Sequence, residues 1–201
     1  MADIIRSGQK KSTVLMSDFN RISNTINTNF KGAFLSPITI TLGDEFQSVV
    51  RSLNDGIEVI INFEELIIKS NISFKLRYVL NYGNIETPIN PEKAYGMLGK
   101  GLTDSRKMLE VEKHNEKRFF IKTNDIKLSD QLNRAFYIYQ SFIDNWKFKD
   151  YKIVSTFFKY KDYKIVAKIL KKDQSSVWRR EKSLKINEYL AARDLIYSLI
   201  K

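Results

Sequence analysis

The stretch Ile38 to Val50, ITITLGDEFQSVV, narrows the choice of fold more than any other part of the chain. Ile38, Ile40 and Leu42 alternate with Thr39, Thr41 and Gly43, the period of a half-buried strand. Gly43-Asp44 is a turn signal, and Phe46, Gln47, Val49 and Val50 resume an extended segment. A hairpin this apolar must lie against helices and further strands, because an isolated one is only marginally stable. Its tip carries two adjacent carboxylates, Asp44 and Glu45.

The flanking periodicities supply that cover. Leu15, Phe19, Ile22, Ile26 and Phe30 recur at three and four within Lys11–Phe30 and predict an amphipathic helix. Gly32 and Pro37 bracket the connection into the hairpin. Ile57, Ile60, Ile61, Leu66 and Ile67 predict a second helix over Leu53–Ser70, its first turn trimmed by Asn54-Asp55-Gly56. Phe74, Leu76, Tyr78 and Leu80 alternate within a strand at Ser73–Tyr82. A long loop follows, in which Pro91 is suited to open a helix. Gly101–Leu109 reads as helix, and Arg118–Thr123 as a last short strand. Met1–Arg6 reads as the end of a strand with almost nothing before it. The order predicts an α+β fold, a ferredoxin-like βαββαβ antiparallel sheet with an extra strand and a clipped first strand. From Ser129 the pattern is all helical. The junction falls near Thr123–Lys127, giving a sheet domain over 1–125 and a helical domain over 126–201.

Residue types exclude several chemistries. There is no cysteine, hence no disulfide and no thiolate. The single histidine, His114, lies in the polar run Glu112–Lys117 and reads as a solvated loop residue. A Ser-His triad or a multi-His zinc site therefore has no basis. No window is long and apolar enough to span a bilayer, and the start has no apolar signal region, so a cytoplasmic location is expected. The formal net charge is +11 and unevenly spread: Ile143–Lys201 holds 15 Lys+Arg against 7 Asp+Glu. That excess suits a polyanion partner or, equally, a solvated lysine-rich helical surface.

Two places carry candidate chemistry. Asp3 ends the first strand and Asp44 sits in the hairpin turn. In the expected sheet the first strand lies beside the hairpin, which brings the two carboxylates near each other. A carboxylate pair is what Mg²⁺ takes from a protein when phosphate and water supply its other ligands. Alternatively, Asp44 is a turn former bonded to nearby amides. The second place is Tyr163–Arg180, YKIVAKILKKDQSSVWRR. Ile165, Val166, Ala167, Ile169 and Leu170 pack a helix, Lys171-Lys172 turn the chain, and Asp173 caps a second helix anchored by Val177. This predicts a helix-turn-helix near 163–186, with Lys171 where the usual turn glycine would stand. Its second helix offers Gln174, Ser175, Ser176, Arg179 and Arg180 to duplex DNA, while Trp178 is expected in the core. The other reading is a helical hairpin that serves only for packing or dimerization. Leu184, Ile186, Tyr189, Leu190, Leu195 and Ile196 form a closing amphipathic helix with a face suited to a homodimer.

Ala2-Asp3-Ile4-Ile5-Arg6-Ser7 and Leu42-Gly43-Asp44-Glu45-Phe46 resemble the two metal motifs of class III nucleotide cyclases. Over nearly its full length the chain resembles the SatD family. The carriers are the same first motif, the hairpin Gly43-Asp44-Glu45-Phe46-Gln47, the glycine-rich helix start Gly96-Met97-Leu98-Gly99-Lys100-Gly101 leading to Arg106, and the C-terminal helix-turn-helix. The resemblance implies Mg²⁺ at Asp3 and Asp44, a nucleotide near Ser7, Gly43, Glu45, Gln47 and Arg106, and DNA at the helical end. Three positions depart from it. Ala2 replaces a glycine of the family. Leu102 stands four residues before Arg106, where cyclases place an asparagine. Ile40 stands where they often have a base-reading lysine. Leucine cannot orient a ribose or phosphate by hydrogen bonding, so binding is implied more strongly than cyclization. The expectation is a SatD-type regulator with a cyclase-like sensor domain and a DNA-binding end. The alternatives are a Mg²⁺-dependent nucleotidyl cyclase or phosphotransferase, and a non-catalytic partner-binding scaffold.

Overall fold

A computed structural model describes residues 1–5 and 12–201. Ser7 therefore lies outside the described residues. The protein is α+β: a five-stranded sheet with helices, followed by a run of helices.

The hairpin forms β2 (Phe34–Ile40) and β3 (Glu45–Val50), paired antiparallel. It differs from the sequence reading at both ends. β2 starts earlier and includes Pro37, which a strand tolerates here because β2 is at the edge of the sheet. Leu42 belongs to the turn and is exposed, beside Gly43 with φ of 77°. The sheet order is β2-β3-β1-β4-β5, so β1 (Ala2–Ile4), only three residues long, is its central strand. It pairs antiparallel with β3 and with β4 (Leu76–Asn81). β5 (Phe119–Lys122) runs parallel to β4. The sheet is therefore mixed rather than purely antiparallel, because the β4–β5 link is long enough to cross over.

Helices α1 (Ser12–Asn29) and α2 (Leu53–Lys69) lie together and reach β2 and β3 respectively. α2 keeps its first turn: Ser52 caps it by accepting from the Asp55 amide, and Gly56 leaves room for the Leu80 side chain, whose end would lie 2.8 Å from a Cβ there. Rings bind these layers. Phe46 stacks on Phe63 at 5.4 Å, Tyr78 on Phe119 at 5.4 Å, and Phe119 on Phe136 at 5.0 Å. The loop from Tyr82 to Gly99 holds neither helix nor strand, so Pro91 opens no helix. α3 (Lys100–Val111) packs on β4, with Gly101 so close to Gly83 that a Cβ would fall 2.6 Å from the Gly83 carbonyl carbon.

The helical end comprises α4 (Ile126–Ile143), α5 (Tyr151–Tyr160), α6 (Tyr163–Leu170), α7 (Gln174–Ser183) and α8 (Ile186–Ser198). α4 meets β5 and α8, and α5 meets α2. One apolar cluster runs from Ala2 to Ile196. Two neighbouring carboxylates of α2 fasten the elements around it. Glu64 is held by Arg118, which also reaches Asp144. Glu65 accepts from the Tyr189 hydroxyl at 3.1 Å and from Arg193 at 3.0 Å. Ile186, Tyr189, Ala192 and Ile196 of α8 are thus buried inside the chain, while Leu195 is exposed. Among the described residues no helix is long and apolar enough to cross a membrane.

Candidate functional site

Strand alternation builds the first site. In β1, Ala2 stands opposite Phe46 and Tyr78, and Asp3 stands opposite Glu45 and Arg77. Residues directly opposite in an antiparallel pair point to the same face. Glu45, Asp3 and Arg77 therefore form one row across three strands, on the face away from Phe46 and Tyr78. Asp3 is 5% exposed. Its two oxygens both accept from Arg77 Nη1, at 3.3 and 3.0 Å. Arg77 Nη2 donates to the Lys113 carbonyl at 3.2 Å. Glu45 is bracketed by Arg106 at 3.3 Å and by Lys113 at 3.5 Å. The Asp44 carbonyl accepts from the Ile4 amide at 2.9 Å, which pins the hairpin turn against the end of β1. Gln47, next but one along β3, is buried.

Burial pushes the Asp3 carboxyl up, Arg77 and Lys113 pull it back, and Glu45 and Asp44 push it up again; the net direction is up. Among the described residues, Asp3 and Glu45 on this face are met by the cations Arg77, Arg106 and Lys113. A divalent cation at Asp3 competes with a guanidinium already seated there. Among the described residues no group of three or more His, Cys, Asp or Glu could hold a metal ion. A phosphate at Arg106 would have to compete with Glu45. Sequence reading missed Arg77 and Lys113. Arg77 was legible in principle, since alternation with Leu76 and Tyr78 turns it to the Asp3 face.

A cleft of about 590 Å³ opens at the opposite end of β1, lined by Val49, Val50, Val79, Leu80 and Leu102 among others. None of Asp3, Gly43, Glu45, Gln47 and Arg106 lines it. Of the residues expected at a metal and a nucleotide, the described ones lie towards one end of the sheet, and the larger apolar cleft lies at the other.

The second site is α6–α7. Asp162 caps α6 through the Lys164 and Ile165 amides. Lys171 ends it in the left-handed region at φ of 52°, and Asp173 caps α7, accepting from the Ser176 amide at 2.9 Å and the Ser175 hydroxyl at 2.7 Å. The Ser175 bond is the chief reason the Asp173 carboxyl lies below the ordinary range. Val166, Ala167 and Val177 are buried and lock the two helices together. Gln174, Ser175, Ser176 and Arg179 are exposed. Arg180 is not free: it donates to Asp150 at 2.6 Å. Trp178, expected in the core, is 47% exposed, because Val177 already fills the inward position. It stands among the polar residues of the outer face of α7.

The family model described as SatD family matches residues 1–200. No curated protein and no solved structure matches the chain.

Proposed function

The chain belongs to the SatD family, and from that membership we propose a DNA-binding regulatory protein whose α7 reads duplex DNA. The observation that carries the reading is the outer face of α7, where Gln174, Ser175, Trp178 and Arg179 are all exposed after a three-residue turn. Gln and Arg are the side chains that bond base edges bidentately, and Ser reaches bases or phosphates. The basic excess of the last third supplies the sequence-independent attraction.

In this reading the sheet half is a non-catalytic sensor or support. Arg77 occupies Asp3, Arg106 and Lys113 occupy Glu45, and Leu102 offers no hydrogen bond one turn before Arg106. The test is fluorescence anisotropy of labelled random duplex DNA at two salt concentrations. Micromolar affinity that falls steeply with salt is expected. Arg179→Glu should abolish it, and Arg179 is a better target than Arg180, whose loss would also strand Asp150. No binding at low salt overturns the proposal.

A further inference from the structure

Between the start of α5 and the inner edge of α7 lies a cleft of about 530 Å³. Lys149 and Lys152 line one wall, and Lys172, Ser176 and Arg180 the other. Ile153 and Val177 are among the apolar residues lining it. Among the described residues, the only carboxylate on its lining is Asp150, which is paired with Arg180. Lys149, Lys152 and Lys172 are exposed and make no ion pair among the described residues. The cleft therefore keeps a local excess of positive charge that the protein itself does not neutralise.

We propose that this cleft seats a backbone phosphate of the bound duplex, an inference that rests on the DNA reading of α7. Ser176 and Arg180 are one helical turn apart on the side of α7 that faces α5. Gln174, Ser175, Trp178 and Arg179 share the other side. A helix lying in the major groove has base edges before it and a phosphate strand at its flank. Lysines on flexible stems meet phosphate as point charges. The Ser176 amide is already taken by Asp173, so the residue contributes its hydroxyl. Lys149, in the turn before α5, and Lys152, in its first turn, lie outside the helix-turn-helix segment, so the start of α5 becomes part of the DNA interface.

The experiment measures anisotropy of the full chain with random duplex across a salt series. Lys149→Glu/Lys152→Glu should weaken binding on the order of tenfold or more and lower the salt slope by roughly one to two. Lys149→Met/Lys152→Met should lower the slope in the same direction. The control is Lys31→Glu/Lys107→Glu, two exposed lysines of the sheet half that change net charge equally; it should leave the slope near wild type. If the α5 variants keep wild-type affinity and slope while Arg179→Glu loses binding, the phosphate seat is wrong and the DNA reading stands. If the control weakens binding as much as the α5 variants, the effect is net charge and the seat is again wrong. If wild type binds no DNA, both fall.

Discussion

Arg77 donates from one guanidinium nitrogen to both oxygens of Asp3, at 3.0 and 3.3 Å, across the two central strands of the sheet. Both side chains are buried. A buried pair is costly to break from one side, because the remaining charge has no solvent to return to. Arg77→Leu should therefore lose about 3–5 kcal/mol in urea unfolding. Asp3→Leu/Arg77→Leu should recover most of that loss. A double variant no more stable than Arg77→Leu would mean that the pair does more than neutralise itself.

The same pair governs the response to divalent cations. Ligands that bind only the native state raise its melting temperature. With Arg77 seated on Asp3, millimolar Mg²⁺ should leave the wild-type midpoint unchanged. Arg77→Gln removes the competing cation and should make the midpoint rise with Mg²⁺. A clear rise in wild type would show that the Asp3–Arg77 pair opens to admit metal.

Arg118 makes the chain sensitive to acid. It donates to both Glu64 oxygens, to the Leu76 carbonyl and to Asp144. Burial pushes the Asp144 carboxyl up, but Arg118 and Lys75 together outweigh it and hold the group below the usual carboxylate range. A depressed folded value means that its stabilising contribution is present above the unfolded value of about 3.9. It is lost as pH falls through the folded value. Asp144→Asn should lower stability at neutral pH and flatten the decline in acid. An unchanged acid limb would remove Asp144 from the account.

Glu65 ties α8 to α2 through Tyr189 and Arg193 and also pairs with Lys69 at 2.8 Å. Glu65→Ala strands a mostly buried guanidinium and a buried hydroxyl, at about 2–4 kcal/mol. The effect should be local as well as global: amide exchange in α8 should accelerate more than in β3 and β4. Uniform acceleration would mean that the helical end and the sheet open as one unit.

Lys171 holds a left-handed conformation between α6 and α7 at φ of 52°. A residue with a Cβ pays roughly 1–2 kcal/mol there, and glycine is the usual occupant of such a helix end. Lys171→Gly should raise stability by up to about 1 kcal/mol, read from the urea midpoint. A loss would mean that the lysine side chain makes a compensating contact.

Local pattern carried the helices well. The three-and-four spacing of Phe19, Ile22 and Ile26 gave α1, and Asp173 before a polar-fronted segment gave the α7 cap. Those signals depend on residues a turn apart, which a sequence displays directly. Pro37 misled for the opposite reason. Its place in a strand depends on β2 lying at the sheet edge, which no window of neighbours reveals. Trp178 misled because hydrophobicity alone points a tryptophan inward, whereas Val177 had taken the inward position.

The sequence by itself determined the α+β class, the hairpin around Gly43-Asp44, the family and the short turn between α6 and α7, because each follows from short-range periodicity or a contiguous motif. Only the tertiary structure decided what the carboxylates face. Asp3, Glu45 and Arg77 are far apart in the chain and meet only through strand register. That register sets a guanidinium on the very carboxylate that the motif marks for metal. Likewise the turn before α5 and its first residues, unremarkable as a sequence, bring Lys149 and Lys152 to a cleft shared with α7. Long-range pairing sets which charges meet.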